Sequence, residues 1–259
     1  MTSRPGATIV IPCFDEAERL RPDAVLELAA ASGARLLLVD DGSTDATPLV
    51  LSALVAAIGD AGRIASLRLA ENRGKAEAVR RGMQLALDEG AAVVGYCDAD
   101  FATPPHEVAR LLAVFGDAAD VDVVVGSRVG LLGSDIQRSH LRHYLGRLFA
   151  TAASTALQMR VYDTQCGAKM FADTPALRAA LAKPFGSMWA FDVELLARLR
   201  DGAPPTAPGL DIERFLEVPL RTWRDVGESK LTVRGAGRAA VDVARVAIDG
   251  RRRRAAGRR

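Results

Sequence analysis

The sequence predicts an α/β fold, a mostly parallel sheet with helices packed on both faces. Three observations predict it. Short, largely apolar runs such as Ala7–Ile11 and Arg35–Val39 recur through the first half, and a strand that is apolar on both sides is one covered on both sides. Longer stretches with apolar residues at helical spacing separate these runs. The composition over 259 residues, 49% hydrophobic and 25% charged, excludes a disordered body and suits one large domain or two small ones.

The elements follow in order. Ala7–Ile11, closed by Pro12, reads as the first strand and Ala17–Ala31 as a helix. Arg35–Val39 is the second strand, and Ser43 or Thr44 caps a helix that runs to about Ile58. Arg63–Leu69 is a third strand, followed by a helix from about Gly74 to Asp88 and the strand Ala91–Tyr96. Pro104 and Pro105 open a helix to about Phe115, and Val121–Gly126 is the fifth strand. Such alternation means βαβ units, whose ligands collect at the carboxyl ends of the strands. The second half is less regular. Gln137–Leu157 reads as a long amphipathic helix, Val161–Phe171 has no clear period, and Pro175–Leu181 and Phe191–Leu199 are short helices. Ala203–Gly209 is a loop, Ile212–Leu220 a strand, and Gly235–Ile248 a terminal helix with Val241, Ala244 and Ile248 on one side.

The formal charge of +2 conceals an asymmetry. Residues 251–259 carry six arginines and no acid, which leaves 28 basic against 32 acidic residues in the body, a charge of −4. A nucleic-acid-binding domain carries basic charge on its folded surface, so no nucleic-acid partner is expected. Cys13, Cys97 and Cys166 form no closely spaced pair and indicate neither a zinc site nor a disulfide framework. The first six residues lack the apolar core of a signal peptide, and no apolar stretch approaches the roughly 18–20 residues that span a bilayer. The expected location is cytoplasmic, with at most peripheral contact to the cytoplasmic membrane face.

Acidic residues gather where strands stop: Asp15 and Glu16, Asp40 and Asp41, Asp98 and Asp100. Each cluster alone has a plain alternative as a turn or helix cap. Three of them at one sheet edge would crowd like charges unless a cation or a donor-rich ligand offsets them. Asp98 and Asp100 can share Mg²⁺ or Mn²⁺, which completes its shell with phosphate oxygens, so a diphosphate substrate is expected. A single Asp-x-Asp triplet arises often by chance.

The segment Ile9–Glu16 resembles the opening strand and turn of the family 2 glycosyltransferases. Val39–Asp45, Asn72-Arg73-Gly74-Lys75 and Asp98-Ala99-Asp100 are similar to three further segments of that family. Gly126-Ser127-Arg128, Asp163–Lys169, Trp189–Leu195 and Arg224–Lys230 resemble segments of the branch that glycosylates polyprenyl phosphates, most like the dolichyl-phosphate β-glucosyltransferases. The order is the family's, over roughly residues 8–232.

The resemblance implies a GT-A fold over residues 1–234, with a donor-binding half at about 7–128 and an acceptor half at about 129–234, then an amphipathic helix, 235–250, and a basic tail, 251–259. It implies an inverting, metal-dependent transfer of a hexosyl group from a nucleotide sugar, a UDP-sugar favoured over a GDP-sugar and UDP-glucose foremost, onto a polyprenyl phosphate. Pro12, Phe14, Glu16, Asp40, Asp41 and Ser43 would hold base and ribose, and Lys75 the base or a phosphate. Asp98, Ala99 and Asp100 would meet the diphosphate and its Mg²⁺ or Mn²⁺, with Arg224 and Lys230 closing over it. Asp163 and Asp192 are the catalytic carboxylates, orienting the acceptor or stabilising the oxocarbenium-like centre. A phosphate acceptor is already ionised near neutral pH and needs no strong base. Arg128, Arg138 and Arg142 would grip the acceptor phosphate; the alternative is a solvated basic face.

Two departures matter. Ala102 stands where mannosyl-transferring relatives have Gln, and Ala168 stands where Phe is usual, which is expected to enlarge a pocket beside the reaction centre. A family 2 enzyme with a soluble acceptor, and a non-catalytic binder of acidic partners through the arginine tail, are the alternative functions. The tail itself is expected to draw the enzyme to an anionic membrane surface.

Overall fold

The computed structural model describes residues 6–57, 62–118, 120–137, 140–203, 205–226 and 233–256, without the side chains of 140–145, 148, 233–240 and 254–256. The first half alternates β1 (Ala7–Cys13), α1 (Pro22–Ser32), β2 (Arg35–Asp40), α2 (Thr47–Ala57), β3 (Ile64–Arg68), α3 (Lys75–Asp88), β4 (Val93–Cys97), α4 (Pro105–Asp117) and β5 (Val123–Ser127). The second half adds β6 (Asp135–Gln137), α5 (His140–Leu157), β7 (Ala168–Ala172), α6 (Pro175–Leu181), α7 (Phe191–Asp201), β8 (Phe215–Pro219), β9 (Thr222–Arg224) and α8 (Val233–Ala256).

Seven strands form one sheet in the order β3-β2-β1-β4-β7-β5-β8. All pairings are parallel except those of β7, which runs antiparallel between β4 and β5. Strand alternation sends successive residues to opposite layers. Ile9, Ile11, Leu36 and Leu38 pack with α1, α2 and α4, whereas Val10, Leu37 and Val39 pack with α3 and the helices of the second half. The short β6 and β9 pair in parallel as a separate ribbon.

Several expected boundaries move, each for a local reason. The first helix starts at Pro22, whose fixed φ suits an opening turn. Residues 16 and 17 before it donate instead to Thr47 Oγ1 and Asp45 Oδ2. Ser43 does not cap α2: its hydroxyl accepts from Asp15 N, and Asp45 Oδ1 takes Thr47 N. The stretch 161–171 contains strand β7, hidden in the sequence because charged Lys169 interrupts its apolar run. The expected strand 212–220 divides into a 3₁₀ turn, Ile212–Arg214, and β8.

The terminal helix and the basic tail are not separate units, since α8 continues to Ala256. Its buried face is Val243 and Val246, packed with α5 and α7 residues, and the expected apolar side, Val241 and Ile248, is exposed. Apolar residues occupy both sides of this helix, and periodicity alone does not say which side meets the core. No helix among the described residues is long and apolar enough to cross a membrane.

Candidate active site

A cavity opens at the carboxyl ends of β1, β2 and β4, where the strand order predicts a ligand. Pro12, Cys13, Phe14, Glu16, Arg19, Asp41, Lys75, Asp98, Ala99 and Asp100 line it. The structure thus gathers eight of the expected donor residues, Pro12, Phe14, Glu16, Asp41, Lys75, Ala99 and the Asp98/Asp100 pair, on one wall. Asp40 and Ser43 lie behind it. Asp40 Oδ1 accepts from Ser43 N at 2.8 Å, and both residues are buried in the turn that follows β2. Gly42 makes that turn with φ +69, and a Cβ there would meet the Glu71 backbone at 2.5 Å.

Asp41 shapes the wall through the backbone. Its two oxygens accept from Arg73 N at 2.9 Å and Gly74 N at 2.7 Å, which fixes the entry to α3 and so the base of Lys75. Burial raises the Asp41 pKa against those two hydrogen bonds, and Asp40 adds to the rise. Lys75 Nζ lies 2.5 Å from Asp98 Oδ1. Burial opposes its charge, but Asp98, Asp192 and Asp100 more than offset that and raise its pKa.

Asp100 has its pKa raised by burial and then by the charge of Asp98, although Ala102 N donates to it at 3.0 Å. Glu16 is raised by burial, with Asp100 and Asp45 also contributing against the lowering by Arg19. Its Oε2 is buried without a hydrogen-bond partner. The wall therefore concentrates carboxylates whose charges disfavour one another. Gly167 makes the arrangement possible, since a Cβ there would stand 2.1 Å from Asp98 Oδ2.

The two expected catalytic carboxylates are both engaged. Asp163 Oδ2 accepts from Arg128 N at 3.0 Å and Nε at 2.6 Å, and its Oδ1 accepts from Arg128 Nη2 at 2.8 Å. Arg128 also lies over the Trp223 ring. Burial works against the guanidinium charge, and Asp163 overcomes it, so the Arg128 pKa rises. Asp192 Oδ1 accepts from Lys169 Nζ at 2.6 Å and from the Tyr96 hydroxyl. Lys169 is fully buried and donates again to Cys166 O at 2.6 Å. Burial, then Asp192, pushes the Tyr96 phenol pKa well up.

Arg224 is exposed and pairs with Asp135 at 3.6 Å across the β6–β9 ribbon; its N donates to Ala102 O at 3.1 Å, two residues from Asp100, and its side chain does not line the cavity. Arg142 is in α5, its side chain outside the described set, and Arg138 and Lys230 lie outside the described residues. Ala168 does not open a pocket: it packs with Cys97, Cys166 and Met170 in the core layer opposite Lys169.

Residues 8–185 match the family described as glycosyl transferase family 2. The chain belongs to that family. This family 2 glycosyltransferase is 32% identical over 246 residues to a dolichyl-phosphate beta-glucosyltransferase of Drosophila melanogaster, covering 87% of this chain and 69% of the relative. It is 27% identical over 252 residues to the polyprenol monophosphomannose synthase of Mycolicibacterium smegmatis, covering 96% and 89%. Among solved structures it is similar to glucosyl-3-phosphoglycerate synthase from Mycobacterium tuberculosis in complex with Mn²⁺, UDP and glucosyl-3-phosphoglycerate. The TM-score is 0.66 at 18% identity, covering 95% of this chain and 79% of that one. The fold is GT-A.

For a glycosyltransferase of this fold, Asp98 and Asp100 fit a hard divalent cation. Among the described residues no group of three or more His, Cys, Asp or Glu is arranged to hold a metal. Two carboxylates plus phosphate oxygens of a bound ligand are nevertheless an ordinary shell for Mg²⁺ or Mn²⁺, and a cation would relieve the repulsion that raises Asp100. Sequence reasoning assigned no role to Lys169, Tyr96 or Arg19. For Lys169 the signal was there, a lone charge inside an apolar strand; Tyr96 and Arg19 carry none.

Proposed function

We propose that this glycosyltransferase moves a hexosyl group, with inversion, from a nucleoside-diphosphate sugar onto a polyprenyl phosphate, using Mg²⁺ or Mn²⁺. UDP-glucose is the favoured donor, on the resemblance to the β-glucosyl branch. The single observation that carries the acceptor is the state of the two candidate catalytic carboxylates. Asp163 is clamped by Arg128, and Asp192 by Lys169 and Tyr96. Neither is free to take a proton from a hydroxyl, which suits an acceptor that arrives as an oxyanion.

In the reaction a phosphate oxygen of the acceptor forms a bond to the anomeric carbon, while the bond from that carbon to the β-phosphate oxygen breaks on the opposite face. The electron pair leaves with the nucleoside diphosphate, and no proton need move. Asp98 and Asp100 would hold the cation, which supplies charge neutralisation for the diphosphate when bound. Lys75, on the same wall, adds a positive charge where the leaving group gathers negative charge. Asp41 keeps Lys75 in place through Arg73 N and Gly74 N.

The test is conversion of labelled UDP-glucose, or another UDP- or GDP-sugar, in the presence of polyprenyl phosphate and Mn²⁺. An organic-soluble glycolipid is expected, and Asp98→Ala should lower its formation by about 10²-fold or more. Absence of glycolipid with every donor, or full activity of Asp98→Ala, overturns the proposal. Transfer to a small soluble phosphate instead would assign the second acceptor class.

A further inference from the structure

We infer that the outward stripe of α8 is a docking surface for a bilayer containing anionic phospholipid. The choice of partner rests on the acceptor proposed above, since a polyprenyl phosphate resides in a bilayer; the surface itself rests on the helix.

The inward face of α8 is accounted for: Val243, Val246 and Gly250 are buried against the fold. At 100° per residue, Val241, Ala244 and Ile248 fall on the opposite side. There Val241 is 53% and Ile248 50% exposed, with Ala244 exposed between them. Arg245, Arg251 and Arg252 border this stripe, all exposed. Two acids share the segment, and both are partnered. Asp242 accepts from Ser187 Oγ at 2.7 Å and lies 4.0 Å from Arg245, and Asp249 pairs with Arg252 at 3.5 Å.

An apolar stripe flanked by arginines is the pattern of a helix that lies in the plane of a membrane interface. Its aliphatic groups enter the acyl boundary while the guanidinium groups stay among the headgroup phosphates. Charge complementarity thus selects an anionic bilayer over a neutral one. The arginine-rich end is anchored to the fold, for Arg253 turns inward to the buried carboxylate of Asp201 at 3.2 Å. The stripe is therefore a rigid surface of the enzyme rather than a loose tail.

Its position adds a second argument. The Ser187–Asp242 bond ties the first turn of the stripe to the loop before α7, and Ser187 Oγ also accepts from Ala190 N at 2.7 Å. That loop exposes Met188 and Trp189. The Met188 methyl stands 3.1 Å from where a Cβ on Gly74 would be, one residue from Lys75 on the cavity wall. Docking on this face brings the mouth of the cavity to the headgroup layer, where an acceptor phosphate sits.

The experiment is co-sedimentation of the full chain with phosphatidylcholine vesicles, with and without phosphatidylglycerol and without any polyprenyl phosphate. Wild type should partition onto the anionic vesicles. Val241→Gln/Ile248→Gln and Arg251→Gln/Arg252→Gln should each lose on the order of tenfold in partitioning while melting within a few degrees of wild type. Equal partitioning of all three proteins, failure of wild type to bind, or stripe-dependent dimerisation in light scattering overturns the inference. Glycolipid formation in detergent solution reads the acceptor proposal separately, and both variants should retain it.

Discussion

At Asp100 the fold holds a carboxylate where its charge is disfavoured. Burial raises its pKa first, and the neighbouring Asp98 adds to the rise. A folded-state pKa above the unfolded value contributes stability that is present below the ordinary Asp range and lost as pH rises through the raised value. Asp100→Asn removes that loss. At pH 7 the metal-free variant should therefore be more stable than wild type by on the order of 1 kcal/mol, which is about 2–4 °C in melting temperature. The gain should vanish below pH about 4, where both proteins are neutral at this position. Thermal melts between those limits check it, and a difference independent of pH would refute it. The same substitution should weaken metal binding, so here stability yields to function. The pairing of Asp98 with Asp100 was legible in sequence because one residue separates them. The engagement of Asp163 was not, because Arg128 lies 35 residues away.

Among the elements, the junction of β4 and the residues before β7 sets the edge that carries Asp98. Asp98 N donates to Gly167 O at 3.1 Å, and no space for a side chain remains between them. Gly167→Ala would drive a methyl group into the Asp98 carboxylate. It should weaken Mn²⁺-dependent UDP binding by about tenfold or more, read by calorimetry with and without Mn²⁺. Unchanged binding would show that Asp98 can shift without consequence. The parallel elements β1, β2, β4 and β5 were readable as strand runs because each is apolar on both faces, and β3 because apolar and polar residues alternate along it. β7 escaped, since Lys169 and the polar residues before it break that pattern. α8 was readable as a helix, but not in which way it faces, because Val241 and Val243 lie on opposite sides and only one of them meets α5 and α7.

Taken whole, the molecule is built on a seven-stranded sheet shared by both halves of the chain. β7 from the second half lies between β4 and β5 from the first, so no seam in the sheet falls near residue 128. The cluster of Tyr96 on β4, Lys169 on β7 and Asp192 on α7 joins the two. Removing one member of a buried ion pair leaves the other charge uncompensated. Lys169→Met should thus cost about 3–5 kcal/mol in urea unfolding, and Lys169→Met/Asp192→Leu should recover part of it. A single variant within about 1 kcal/mol of wild type would deny the cluster this role.

By itself, the sequence determined the α/β class, the parallel first half and the gathering of carboxylates at the strand ends. Those depend on period and on residues close together in the chain, and a strand end is where such residues must converge. Only the tertiary structure decided which partner each carboxylate meets and which of them line the cavity. Asp98, Asp100 and Glu16 face the cavity, while Asp163 and Asp192 are held by Arg128 and Lys169. It also decided that the arginine-rich end is a continuation of α8 with its apolar stripe outward. The physical reason is the same in both cases. Burial and ion pairing are set by partners brought from distant parts of the chain, and a local pattern carries no record of which partner arrives.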